Sequence, residues 1–234
     1  YMNFKTYGNI TNEKILLLAP VLPKDQELTN ILKPLNDYYL IIPDLANRDE
    51  DFISFQRDVD SIYKYCRDEN IKNFKYICSF SYCSNIAIYM LERNLVKVEK
   101  AVLEGVININ INFIFKKILK MKFSNYKKKI EKDEHTIEKI NNLYPNMYKE
   151  IKELAENIND KSLDNFLSEV SNFKFSKIKN TSLLFIYGKK DPSLKNIEKL
   201  KKKYLQADFL SLEGIEHGNI IFKDSKTYFN LLKS

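Results

Sequence analysis

The sequence predicts an α/β fold, a mostly parallel sheet with helices on both faces, broken once by a long helical insertion. Three observations predict it. Short apolar runs bounded by turn residues recur along the chain and read as buried strands. The segments between them carry apolar residues at helical spacing. The alternation then lapses over residues 107–180, a stretch too long for one crossover helix and rich in helical patterning.

In order, the expected strands are 14–19 (KILLLA, stopped by Pro20), 38–43 (YYLIIP), 74–78 (FKYIC), 98–103 (VEKAVL), 182–187 (SLLFIY) and the less regular 208–212 (DFLSL). Helical patterns are expected over 25–36 and over Asp51–Asp68, where Phe52, Phe55, Val59, Ile62 and Tyr63 share a face. Further helices are expected from about Cys83 to Arg93 and over about 224–233. The interval 107–180 reads as helical throughout and rich in lysine. Residues 1–106 and 181–234 are therefore expected to form one sheet core, with 107–180 inserted over one end of it. At 234 residues nothing requires a second independent domain.

Composition narrows the function classes. With 44% hydrophobic and 29% charged residues the chain reads as globular, and no apolar stretch approaches the roughly 20 residues that cross a bilayer. The first residues, YMNFKTYGN, lack a basic patch followed by an apolar run, so no secretory leader is expected. Three cysteines, Cys66, Cys78 and Cys83, are an odd number without zinc spacing, which argues against a disulfide framework and for a reducing cytoplasm. The net charge of +7 raises nucleic acid or anionic lipid as partners. The lysines, however, alternate with glutamates and form no block interleaved with aromatics, so nucleic-acid binding is not expected. No metal set, phosphate loop or dinucleotide fingerprint is visible, and no cofactor is expected. Oligomeric state is not legible.

The segment FKYIC-SFSYC-SNIAIYML reads strand, sharp turn, helix, with Ser81 at the turn and small residues, Ser79 and Cys83, two positions to either side. A serine there also reads as a helix N-cap. The arrangement resembles the nucleophile elbow of the α/β-hydrolase superfamily, usually written G-x-S-x-G, with serine and cysteine in place of the glycines. The elbow holds its serine in a strained backbone conformation, and bulky neighbours would collide where strand turns into helix. Ser79 falls on the strand side and Cys83 one step into the helix, which leaves Ser81 in register with the turn.

Two further segments fit the same family. SLLFIYGKKDP is similar to the strand end that carries the family's acid, here Asp191, although Asp-Pro also begins ordinary turns. The chain has two histidines, and His135 lies in EKDEHTIEK, which reads as a solvated helix face. A general base would therefore be His217, in LEGIEHGN after the last strand. The order Ser81, Asp191, His217 is the α/β-hydrolase order. Glu104, at the end of VLEGV, is an alternative acid, because some members place theirs there.

The resemblance covers nearly the whole chain. It implies the α/β-hydrolase fold with 107–180 as a helical cap, and an oxyanion hole made by backbone N–H groups. One donor would come from Tyr82 and the other from Val21 or Leu22, beyond the Ala19-Pro20 pair that stands where His-Gly is common. The function implied is a cytoplasmic serine hydrolase that cleaves a small ester or related acyl compound. The alternatives are peptide hydrolysis or acyl transfer by the same triad, or a non-catalytic binding protein on the same fold.

Overall fold

The computed structural model describes residues 2–47 and 50–233. Seven strands form one sheet: β1 (Phe4–Tyr7), β2 (Lys14–Leu18), β3 (Tyr39–Pro43), β4 (Asn73–Phe80), β5 (Lys97–Glu104), β6 (Ser182–Gly188) and β7 (Asp208–Leu212), in the spatial order β1-β3-β2-β4-β5-β6-β7. All neighbours are parallel except β1, which runs antiparallel to β3. The helices are α1 (Asp25–Leu32), α2 (Phe55–Asp68), α3 (Cys83–Glu92), α4 (Phe113–Lys132), α5 (Glu134–Leu143), α6 (Tyr148–Asn157), α7 (Asp160–Asn172), α8 (Ile197–Lys203), α9 (Ile220–Lys223) and α10 (Ser225–Lys233).

The central strands are apolar on both faces because both are covered. Side chains alternate across the sheet. Leu16, Leu18 and Ile77 pack on one side with Val59 and Ile62 of α2 and Ile86 and Met90 of α3. Ile15, Leu17, Tyr76 and Cys78 pack on the other with Leu28 of α1 and Phe229 of α10. The three cysteines are buried and free.

Several expected boundaries move. β1 has no counterpart among the expected strands: FKTY is half polar and lies at the sheet edge, so it carries no apolar run to announce it. The helix expected from Asp51 starts at Phe55, because the Ser54 hydroxyl accepts the Arg57 amide and caps it there. The helix expected over 25–36 ends at Leu32 and continues as a short 3-10 turn through Leu35. Residues 107–180 are not helical throughout. Residues 107–112 and 173–181 are irregular, and three polar caps divide the rest: Asn112 for α4, Asp133 for α5 and Asn159 for α7. No helix among the described residues is long and apolar enough to cross a membrane.

Candidate active site

Three strand ends position the site. β4 ends at Phe80 and the chain turns through Ser81 into α3. Ser81 takes φ +56°, and among the described residues every other non-glycine with positive φ is an asparagine, a residue type that tolerates this region. The turn is fixed on both sides. The Ser81 amide donates to the Glu104 carbonyl at 2.9 Å, and the Ser81 carbonyl accepts the Ser84 amide at 3.0 Å.

The residues that replace the usual glycines fit without leaving polar atoms unpaired. Cys83 is fully buried at the start of α3. The buried Ser79 hydroxyl donates to the Ser84 hydroxyl at 3.0 Å, which donates in turn to the Glu104 carbonyl at 2.9 Å. A short hydroxyl chain thus ties the end of β4 to the end of β5.

β6 ends at Gly188, where an added Cβ would lie 2.0 Å from the Ile215 carbonyl oxygen, so the chain that leads to His217 crosses in direct contact with it. Asp191 follows in a tight turn, its amide donating to the Gly188 carbonyl at 3.0 Å. One carboxylate oxygen, Oδ1, accepts the Ser193 amide at 2.7 Å. The other, Oδ2, lies 3.0 Å from His217 Nδ1. His217 Nε2 lies 2.8 Å from Ser81 Oγ. The structure therefore brings Ser81, His217 and Asp191 into one hydrogen-bonded line. The Asp191 side chain is sealed from solvent, whereas that of His217 is 28% exposed.

Glu104, the alternative acid, is not the partner of His217. Its Oε1 accepts the Ile220 amide at 3.4 Å, and its Oε2 is buried with no hydrogen-bond partner. Burial pushes its pKa up to about 8. The backbone amides of residues 218–220 oppose that rise, and the negative charge of Asp191 adds to it. His135 lies exposed on α5, outside this line.

Residues that sequence reasoning did not single out hold the histidine in place. The next residue after Glu104, Gly105, sits beneath the imidazole with φ +64°. A Cβ there would stand 3.0 Å from both Cε1 and Nδ1 of His217 and 3.4 Å from Asp191 Oδ2. Tyr144, in the loop after α5, donates its hydroxyl to the His217 carbonyl at 2.7 Å, and burial pushes its pKa up to about 12. Asn219 caps the loop internally, its Oδ1 accepting the Glu216 amide at 2.9 Å, and its Nδ2 reaches the Leu143 carbonyl at 3.1 Å. The only advance sign of Gly105 was its place after a strand-end glutamate. Tyr144 left no sequence sign, because it meets the loop from 73 residues away.

The candidate oxyanion donors lie at the same end. Leu18 of β2 pairs with Ser79 of β4, so the chain leaves β2 toward Val21 and Leu22 beside the place where β4 turns at Ser81. Tyr82 stands at the N-cap of α3, at the positive end of that helix. A cavity of about 620 Å³ opens next to the elbow, with Phe52, Tyr82, Phe123, Leu154, Leu163 and Phe166 in its wall. The Tyr82 ring meets Phe166 edge-on at 5.1 Å. Phe123 belongs to α4, Leu154 to α6, and Leu163 and Phe166 to α7, so the inserted helices supply much of the wall.

No protein-family model matches this chain, and neither does any curated protein sequence. Solved structures do match. A Desulfitobacterium hafniense protein assigned to the α/β hydrolase family superposes with TM-score 0.75 at 15% identity, over 99% of this chain and 98% of that one. The fold is that of the α/β hydrolases. A carboxylesterase structure from Nitrososphaera gargenis is similar at TM-score 0.72 and 13% identity, covering 99% of this chain and 93% of the other. The enol-lactonase from Burkholderia xenovorans is similar at TM-score 0.71 and 11% identity, covering 100% and 96%. On this α/β-hydrolase sheet Ser81, Asp191 and His217 each follow the carboxyl end of a parallel strand, where open α/β sheets place their ligand sites.

Proposed function

We propose that this chain is a serine hydrolase that cleaves a small ester or related acyl compound through an acyl-enzyme. The observation that carries the reading is the unbroken line Ser81 Oγ–His217 Nε2–His217 Nδ1–Asp191 Oδ2, with Ser81 held at φ +56°. Structural likeness to a carboxylesterase and to an enol-lactonase supports the class of reaction.

In this reading Ser81 Oγ attacks the acyl carbon while His217 Nε2 takes its proton. Asp191 keeps the Nδ1 proton facing itself and stabilises the imidazolium that forms. The carbonyl oxygen, now an anion, is received by the amide of Tyr82 and by that of Val21 or Leu22. Pro20 brings no N–H of its own, so the loop donor must come from beyond it. His217 then gives its proton to the leaving alcohol, and the acyl group stays on Ser81. Water, deprotonated by the same imidazole, attacks the acyl carbon and releases the acid. Residues 107–180 act as a cap in this reading, with the aromatic wall of the cavity receiving the apolar part of the substrate. The free buried cysteines suit a reducing compartment, and the cytoplasm is the location we assign.

A panel of p-nitrophenyl esters of increasing acyl length, alongside thioester and aminoacyl-amide substrates, tests this function. The expected result is ester turnover that falls at least about 1,000-fold in Ser81→Ala. Turnover unchanged by that substitution, or no turnover of any acyl substrate by folded protein, contradicts it.

A further inference from the structure

The helix α4 is apolar on two opposite sides. Its inner side is accounted for: Phe123 faces the cavity, and Ile130 is fully buried among the inserted helices. Two of its lysines are also engaged inward. Lys120 lies 2.8 Å and Lys116 3.5 Å from the Asp164 carboxylate of α7, and Lys116 also donates to Ser168 at 2.9 Å.

The outer side is not polar, as a solvated face would be. Phe113 is 81% exposed, Ile114 70% and Met121 60%, with Ile118 also in the open. Ile114, Ile118 and Met121 stand at i, i+4 and i+7, which makes them one stripe along the helix. Lys117, Lys122 and Lys128 border that stripe and make no ion pair among the described residues. The alternation of lysine with glutamate expected along the chain lapses in this helix: from Phe113 to Ile130 it holds seven lysines and no aspartate or glutamate. Exposed large apolar side chains gathered in one place mark a contact surface.

We infer that the outer face of α4 docks on an anionic lipid bilayer. Its apolar stripe would enter the boundary between headgroups and acyl chains, to a depth of about 5–10 Å. Its bordering lysines would lie among the anionic headgroups, each strengthening binding about fivefold. The charge pattern selects this occupant. A second copy of the chain would set lysine against lysine, and nucleic acid would leave Phe113, Ile114 and Met121 against a charged backbone. The cytoplasmic leaflet carries the negative charge that the lysines require. The inference rests on the face itself and is independent of the catalytic reading.

The test is flotation of the full chain with phosphatidylcholine vesicles, with and without about 30 mol% phosphatidylserine. Binding to the anionic vesicles is expected, with little to the neutral ones, and weakening in about 0.5 M NaCl. The double variant Ile114→Ser/Met121→Ser should bind at least about tenfold more weakly, and Lys117→Ser/Lys122→Ser by a similar factor. All four side chains are exposed, so both variants should keep the circular dichroism spectrum and melting temperature of the parent. Three results would overturn the inference: no binding to anionic vesicles, equal binding to neutral ones, or full binding by well-folded variants. Self-association of the parent that the apolar variant abolishes, without vesicle binding, would give the face to a second copy and equally overturn it.

Discussion

Ser81 stands in a backbone conformation that costs a non-glycine residue about 1–2 kcal/mol, and its neighbours hold it there through the Glu104 carbonyl and the first turn of α3. Comparing Ser81→Gly with Ser81→Ala isolates that strain, because both lose the hydroxyl but only alanine keeps a Cβ. Glycine is expected to be the more stable by about 1 kcal/mol in urea unfolding; equal stabilities would mean that the turn is unstrained. Gly105 makes a second prediction at this scale. Gly105→Ala places a methyl group 3.0 Å from two atoms of the imidazole in a left-handed backbone position. Displacing His217 by a fraction of an ångström should lower kcat on the order of 100-fold with a smaller effect on KM. A variant with parental kcat would show that the imidazole has room to spare.

At the scale of elements, the ends of β4 and β5 and the loop after β7 act as one unit joined through Glu104. Its carbonyl receives the Ser81 amide and the Ser84 hydroxyl, and its side chain receives the Ile220 amide. Its carboxyl ordinarily titrates at 4.5 and in the fold is raised to about 8. Between those values the folded chain keeps a proton that the unfolded chain has released. The contribution of Glu104 is therefore complete below about pH 4.5 and declines as pH rises toward 8, by up to about 1.4 kcal/mol per pH unit. The difference in unfolding free energy between parent and Glu104→Gln should follow that decline across the window. A difference independent of pH would contradict it. Glu104 also shows where sequence reading stops. Its strand-end position marked it as a carboxylate near the site, but which carboxylate faces His217 depends on how the turn after β6 packs against the loop after β7. The edge strand β1 was illegible for a different reason, since an edge needs no apolar run. The breaks within 107–180 were signalled by Asn112, Asp133 and Asn159, cap residues that a dense lysine background obscured.

For the whole molecule, the parallel sheet was legible because its central strands are buried on both faces and must be apolar along their buried length, as ILLL of β2 and LLFIY of β6 are. The order of Ser81, Asp191 and His217 was legible because each follows its own strand, and strand ends at one edge of such a sheet are brought together by the topology alone. The cavity beside Tyr82 was not legible, because its wall combines Phe52, Phe123, Leu154 and Phe166 from four separate segments. Nor was the contact from Tyr144, which joins the inserted helices to the histidine loop. What unites these parts is the claim that Ser81 is a nucleophile activated by His217. Reaction of the folded protein with a fluorophosphonate, followed by peptide mass spectrometry, tests it most directly. The expected result is a single phosphonyl adduct on Ser81 whose rate of formation collapses in His217→Ala. No adduct on Ser81, or labelling that persists undiminished in His217→Ala, would contradict it.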